Sequence, residues 1–189
     1  MKLIVIEGID GAGKTTLSNL LAERLVELGY DAIVTHEPFT DEIKMLLENV
    51  GWKDPLVLTF LFSADRAIHV NWLRDAGKGI IIMDRYYYST MAYQAALGLD
   101  LKWLETVSSV FPKPDLVLLI DLPVEVALMR LSRKRDSLDF KEKRETLSKV
   151  RENYLSLARK YNMIILDGKR DLRELTEQAL THVLQTLSS

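Results

Sequence analysis

Gly8-Ile9-Asp10-Gly11-Ala12-Gly13-Lys14-Thr15 places three glycines, a lysine and a threonine in the order G-x-x-x-x-G-K-[ST]. Glycine lets a backbone turn its N–H groups inward on an anion, and a helix beginning at the lysine adds its positive dipole end at the same point. Such a loop cradles the phosphates of a nucleoside triphosphate with Gly8, Gly11, Ala12 and Gly13, and Thr16 follows in the first helical turn. Lys14 then supplies a charge to the β- and γ-phosphates, and Thr15 a hydroxyl to Mg²⁺. ATP and Mg²⁺ are the expected cofactors. The loop leaves the reaction open, because switches, motors and kinases share it. The N-K-x-D base-reading motif of a GTPase and the L-S-G-G-Q segment of a transporter ATPase do not occur in the sequence.

Two further stretches carry polar groups suited to an acceptor. Asp84 and Arg85 follow directly on the apolar run Ile80–Met83. They therefore project from the carboxyl end of a strand, where open α/β sheets bind ligands. Phe62 and Arg66 stand four apart, so on a helix they share a face and set an aromatic ring beside a fork of donors. Phe62 also lies in a very apolar segment, so core packing is its competing reading. For Arg66 the competing reading is an ion pair with Asp65 or another acid on a solvated surface.

These groups need elements to hold them. Five short, continuously apolar runs read as strands: Leu3–Ile6, Ala32–Thr35, Ile80–Met83, Leu116–Ile120 and Met163–Leu166. Unbroken hydrophobicity points to strands covered on both faces, hence to a parallel sheet. Between them lie segments of helical period. The first carries Leu17, Leu20, Leu21, Leu25 and Leu28 on one face and stops at Gly29. Later helices are expected from Asp41, Pro55, about Tyr88, Leu101, Pro123, about Asp139 and Asp171. The alternation predicts a single doubly wound α/β domain spanning residues 1–189.

Composition narrows the partners. The 189 residues carry 25 basic and 27 acidic side chains, a net charge of −2. That balance offers no electrostatic case for nucleic acid or an anionic membrane. No cysteine is present, which excludes disulfides, thiolate metal sites and cysteine catalysis and suits a reducing compartment. The apolar run before Glu7 is too short for a signal peptide. The apolar segment Leu56–Leu73 is interrupted by Ser63, Asp65, Arg66 and His69, which a membrane span would not carry at its middle. A cytoplasmic protein is expected.

The order and spacing of these motifs resemble those of thymidylate kinases. The resemblance runs through the phosphate loop with Glu7 and Asp10, Glu37-Pro38, Leu61 to Arg66, Asp84-Arg85-Tyr86, Ser89 with Ala92-Tyr93-Gln94, Pro114-Asp115-Leu116 and Asp121-Leu122-Pro123. It implies a three-layer P-loop NTPase fold, with a five-stranded parallel sheet flanked by helices and a short basic lid at about residues 130–145. It also implies transfer of the γ-phosphoryl of Mg·ATP to dTMP, giving dTDP and ADP on the way to dTTP, by a cytoplasmic homodimer. The long apolar helix from Pro55, richer than one side of a domain needs, fits such a dimer.

By the same resemblance Phe62 stacks on the pyrimidine and Arg66 donates to the thymine O4. Arg85 holds the acceptor phosphate, Ser89 is among the substrate-binding residues, and Asp84 joins Thr15 at the metal. Asp10 acts near the acceptor sugar or metal, Tyr93 packs where a ribose 2′-hydroxyl would sit, and Glu37 and Pro38 line the acceptor pocket. From Arg130 to Arg144 seven basic residues face three acidic ones, which as chemistry alone is either a solvated helix face or a lid. In the family one type carries an arginine in the phosphate loop and another carries basic residues in the lid. Gly11-Ala12 with Arg133 and Arg135 matches the second, making these two arginines catalytic candidates and Arg130 the candidate to stack on adenine. The stretch His36-Glu37-Pro38-Phe39-Thr40 departs from the family's Arg-Glu-Pro-Gly-Gly-Thr, and Thr90 stands where many members have asparagine. Two alternatives remain: a kinase for uridylate, other deoxynucleotides or a nucleoside, and an ATP-hydrolysing switch.

Overall fold

A computed structural model describes residues 1–76, 79–132 and 140–188. Its strands are β1 (Lys2–Gly8), β2 (Ala32–His36), β3 (Ile80–Asp84), β4 (Leu116–Asp121) and β5 (Ile164–Asp167). All pairings are parallel, in the order β2-β3-β1-β4-β5. The helices are α1 (Lys14–Glu27), α2 (Asp41–Val50), α3 (Pro55–Ala76), α4 (Tyr87–Ala96), α5 (Leu101–Ser108), α6 (Val124–Ser132), α7 (Phe140–Tyr161) and α8 (Leu172–Leu187). α1 and α8 pack together and contact the sheet from β2 across to β5, while α4 and α7 pack together and contact β1 and β4. The result is the helix–sheet–helix arrangement of an α/β P-loop kinase.

The central strands explain the unbroken apolar runs. Ile4, Val5, Ile6, Ile81, Ile82 and Leu118 are fully buried, each worth about 1.5–3 kcal/mol of transfer free energy. At the edge the rule weakens, and Ile165 of β5 is exposed. β5 begins at Ile164 rather than at Met163, because the Met163 N–H donates to the Ala158 carbonyl and closes α7. Leu28 falls off the buried face of α1 as its C-cap, where Gly29 and Tyr30 bond back to Val26 and Leu25. α3 starts at Pro55, as expected. α6 starts one residue after Pro123, whose carbonyl accepts from Val126 and Ala127. Asp100 and Asp171 cap α5 and α8 with their carboxylates.

Chain order reverses beside β1. The chain leaves β1 for β2 on one side, while β4 and β5 lie on the other. Such a switch point opens a crevice outside the strands' carboxyl ends. Register brings those ends level: Ile6 pairs with Asp84, and Asp84 with His36.

Candidate active site

The phosphate loop is shaped by close backbone approaches. Gly8 has φ 151°, and a Cβ there would lie 2.8 Å from the Ile120 carbonyl oxygen, so no larger residue fits. Gly13, at φ 99°, caps α1. Lys14 is buried and curls back, its Nζ donating to the Gly8 and Ile9 carbonyls at 3.0 Å. Burial, then the neighbouring Arg85 guanidinium, hold its pKa down to about 8 against the pull of Asp10, Asp84 and Glu7. Across the cleft the Thr15 hydroxyl donates to Asp84 Oδ2 at 2.5 Å. Asp84 Oδ1 is buried without a hydrogen-bond partner among the described residues. A hydroxyl and a carboxylate with a free oxygen form a hard donor set, which fits Mg²⁺. Arg130 of α6 leans on the loop, its Nη1 facing the Gly11 and Ala12 carbonyls at 3.4 and 3.3 Å and its Nη2 donating to the Gly168 carbonyl at 3.1 Å.

Arg85 follows β3 in the left-handed region at φ 72°, with its N–H on the Ile6 carbonyl at 3.0 Å. Nη2 donates to Asp10 Oδ1 at 2.5 Å and Nη1 to Ser89 Oγ at 3.1 Å. The guanidinium lies 5.3 Å from the centre of the Tyr93 ring, and the Tyr93 hydroxyl accepts from the Asp10 N–H at 2.9 Å. Burial works against the Asp10 carboxylate, but Arg85, Lys14 and Lys143 together with the Tyr93 hydrogen bond keep its pKa below the usual range. Desolvation and the Asp10 charge push the Tyr93 phenol well up, so it stays protonated.

The structure corrects the solvated-surface alternative for Arg66. Arg66 is 1% exposed, and its Nε and Nη2 donate to Glu37 Oε2 at 2.9 and 2.5 Å. Nη2 also meets the Thr90 hydroxyl at 3.2 Å. Nη1 is left buried without a partner among the described residues. Asp65 turns the other way. It accepts from the Phe39 and Thr40 N–H groups at 2.6 and 2.8 Å and from the Thr40 hydroxyl at 2.9 Å. Phe39 stacks on buried His69 at 4.2 Å and 7°, and His69 Nε2 lies 2.8 Å from Thr35 Oγ1. The departure from the family's glycines at this loop is thus filled by an aromatic stack and a carboxylate anchor. Pro38, preceded by a cis peptide, is half-buried. Phe62 is half-buried too, packing on Ile43, Leu47 and Leu58, with its ring 6.0 Å from that of Trp52.

A cleft of about 530 Å³ is lined by Thr15, Asn19, Val34, His36, Glu37, Asp84 and Arg85. It joins the Thr15–Asp84 pair to Arg85. Arg133 and Arg135 lie outside the described residues. Lys143, on α7, is near enough to Asp10 to help hold its charge. Gln94 received no role from the sequence, although it sits one helical turn beyond Thr90. It is buried, with Oε1 unpartnered among the described residues. Its signal was the i, i+4 spacing from Thr90.

Comparison with known proteins gives this geometry its context. The sequence profile of the family described as thymidylate kinase matches residues 6–179. A protein of Metallosphaera sedula called probable thymidylate kinase is 57% identical over the whole chain and 95% of its own length. Probable thymidylate kinase 1 of Saccharolobus solfataricus is 53% identical over 98% of each. A probable thymidylate kinase of Pyrococcus horikoshii is 42% identical over 82% of each. With the phosphate loop, the Asp84-Arg85 strand end and the parallel sheet in the arrangement described, the chain belongs to the thymidylate kinase family.

Proposed function

We propose that the chain transfers the γ-phosphoryl of Mg·ATP to the 5′-phosphate of dTMP, giving dTDP and ADP. The observation that carries the choice of base is Arg66. Its Nε and Nη2 are taken up by Glu37 and Thr90, and the buried Nη1 remains an unpaired donor among the described residues. An arginine can only donate, which suits a carbonyl such as thymine O4 and opposes the amino group of cytosine. The unpartnered Gln94 Oε1 supports a second polar contact to the base, able to accept an N–H.

The acceptor phosphate arrives ionised, so alignment and charge neutralisation serve the reaction more than a strong base does. Arg85 binds that phosphate, with Ser89 beside it. Asp10 and Tyr93 hold Arg85 and face the acceptor sugar, and Phe62, Pro38 and Glu37 bound the base pocket. Gly8 to Gly13 and Thr16 receive the donor phosphates, Lys14 swings from the Gly8 and Ile9 carbonyls to meet them, and Arg130 lies against the adenine. Thr15 and Asp84 hold Mg²⁺, which when bound screens the phosphate charge. Arg133 and Arg135 complete the charge stabilisation on closure.

No helix among the described residues is long and apolar enough to cross a membrane. Together with the absence of cysteine this supports a cytoplasmic enzyme. α3 exposes Leu56, Phe60 and Ile68 along one stripe, which supports a homodimer packed through that helix.

The test is ADP production with Mg·ATP and, separately, the 5′-monophosphates of thymidine, deoxyuridine, uridine, deoxycytidine and deoxyguanosine. Stimulation by the thymidine nucleotide, with deoxyuridine monophosphate weaker, is expected. Equal use of all five would remove the base-reading role of Arg66, and acceptor-independent hydrolysis would favour the switch.

A further inference from the structure

Glu7 is a fully buried acid near the end of β1. Its Oε1 accepts from the N–H groups of Tyr86 and Ser89 at 2.9 and 3.1 Å. These donors open α4, whose N-cap Tyr86 offers no side-chain cap. Glu7 therefore caps α4 from a different strand. Its Oε2 accepts from Ser89 Oγ at 2.6 Å and from the Tyr154 hydroxyl at 2.9 Å. The two hydroxyls are themselves 2.8 Å apart, which closes a triangle of three oxygens. Ser89 Oγ also accepts from Arg85 Nη1.

Tyr154 reaches this triangle from α7, an element far along the chain from the phosphate loop and Arg85. It is 1% exposed, and burial and the Glu7 charge push its phenol well above the usual range, so it remains a hydrogen donor. One turn earlier Arg151 clasps Asp121 with two bonds of 2.7 and 2.9 Å, and Asn153 donates to the Ala92 carbonyl at 2.9 Å. The neighbouring anchors hold the helix, whereas the Tyr154 hydroxyl ends on the group that aims Arg85. Arg85 needs such support, because a non-glycine residue in the left-handed region is strained and persists only where its surroundings fix it.

We propose that Tyr154 is a positioning residue for the acceptor phosphate. Through Ser89, and with Glu7, it fixes the direction of the Arg85 guanidinium. The proposal rests on the assignment of Arg85 to the acceptor phosphate. Without Tyr154 the Ser89 hydroxyl keeps Glu7 as its one clamp among the described residues, so the bond it accepts from Nη1 loosens while Nη2 stays on Asp10.

The experiment is a cycle of four proteins, wild type, Tyr154→Phe, Arg85→Ala and the double variant, with dTMP affinity read by titration calorimetry and KM for both nucleotides by ADP production. Tyr154→Phe keeps the ring packing and removes one hydrogen bond, so dTMP binding weakens about fivefold to tenfold. The KM for ATP and the melting temperature stay near those of wild type. In the Arg85→Ala background the same change has no further effect on dTMP. Ser89→Ala, which cuts the link at its other end, weakens dTMP similarly and does not add to Tyr154→Phe. An equal loss in the presence and absence of Arg85, or unchanged dTMP affinity in Tyr154→Phe, overturns the positioning role. Unchanged dTMP affinity in Arg85→Ala alone overturns the Arg85 assignment and this proposal with it.

Discussion

Arg66 of α3 and Glu37, just past β2, form an ion pair inside the protein, with Nη2 2.5 Å from Oε2 and both side chains 2% exposed. Thr90 shares the arginine, and the rings of Tyr86 and Phe111 flank it at 5.4 and 5.3 Å. A desolvated pair of this kind adds little net stability by itself, yet each partner depends on the other.

Arg66→Ala therefore has two effects. It leaves Glu37 buried without its guanidinium, with only His69 Nδ1 3.5 Å from Oε1 among the described residues, costing about 3–5 kcal/mol in a urea titration. It also raises KM for dTMP more than it lowers kcat, because the base and not the reacting phosphate loses a partner. Replacing both members, Arg66→Met with Glu37→Leu, recovers most of the stability without recovering dTMP affinity. A pure kcat loss in a fully stable Arg66→Ala protein would contradict both effects.

Lys14 shows the opposite balance. Its pKa falls from 10.5 to about 8 on folding, so the fold favours the neutral amine. The stability penalty is full below pH 8 and is relieved as pH rises from 8 towards 10.5. Lys14→Met should lower turnover by two or more orders of magnitude while raising stability near neutral pH by about 1–3 kcal/mol. Calorimetry alongside an ADP assay checks both halves.

The same depressed pKa sets a pH limit on donor binding. The charged amine is the form that meets phosphates, so kcat/KM for ATP should decline above about pH 8, approaching tenfold per unit. Once ATP is bound its charge favours the ammonium, so kcat should hold to higher pH. A kcat/KM profile flat to pH 10 would remove Lys14 from the phosphate site.

Asp84→Asn keeps the shape of the side chain and removes its charge beside Thr15. Half-maximal turnover should then need about 10–100-fold more Mg²⁺, measured by metal titration at saturating nucleotides. An unchanged metal requirement would take Asp84 out of the metal site.

Phe60 is 56% exposed on the apolar stripe of α3. Phe60→Asp should shift the sedimentation coefficient from dimer to monomer while leaving the fold intact by circular dichroism. Sedimentation of the wild type as a monomer would remove the dimer.

Sequence alone determined the phosphate loop, the five strands and the parallel sheet. The loop depends on glycines within one turn, and buried strands declare themselves by continuous apolar residues. The position of Asp84 and Arg85 at the carboxyl end of a strand was legible, because they follow directly on an unbroken apolar run. The tertiary structure decided which partner each charge takes. Asp65 stands next to Arg66 in sequence, yet helix geometry sends the two side chains in different directions, Asp65 to Phe39 and Thr40 and Arg66 to Glu37. Glu7 entered the sequence reading only beside the phosphate loop, and the structure shows it as a buried carboxylate that must find donors. One of those donors, Tyr154, stands 147 positions away, and no local spacing can encode a contact that forms only when α7 packs on α4.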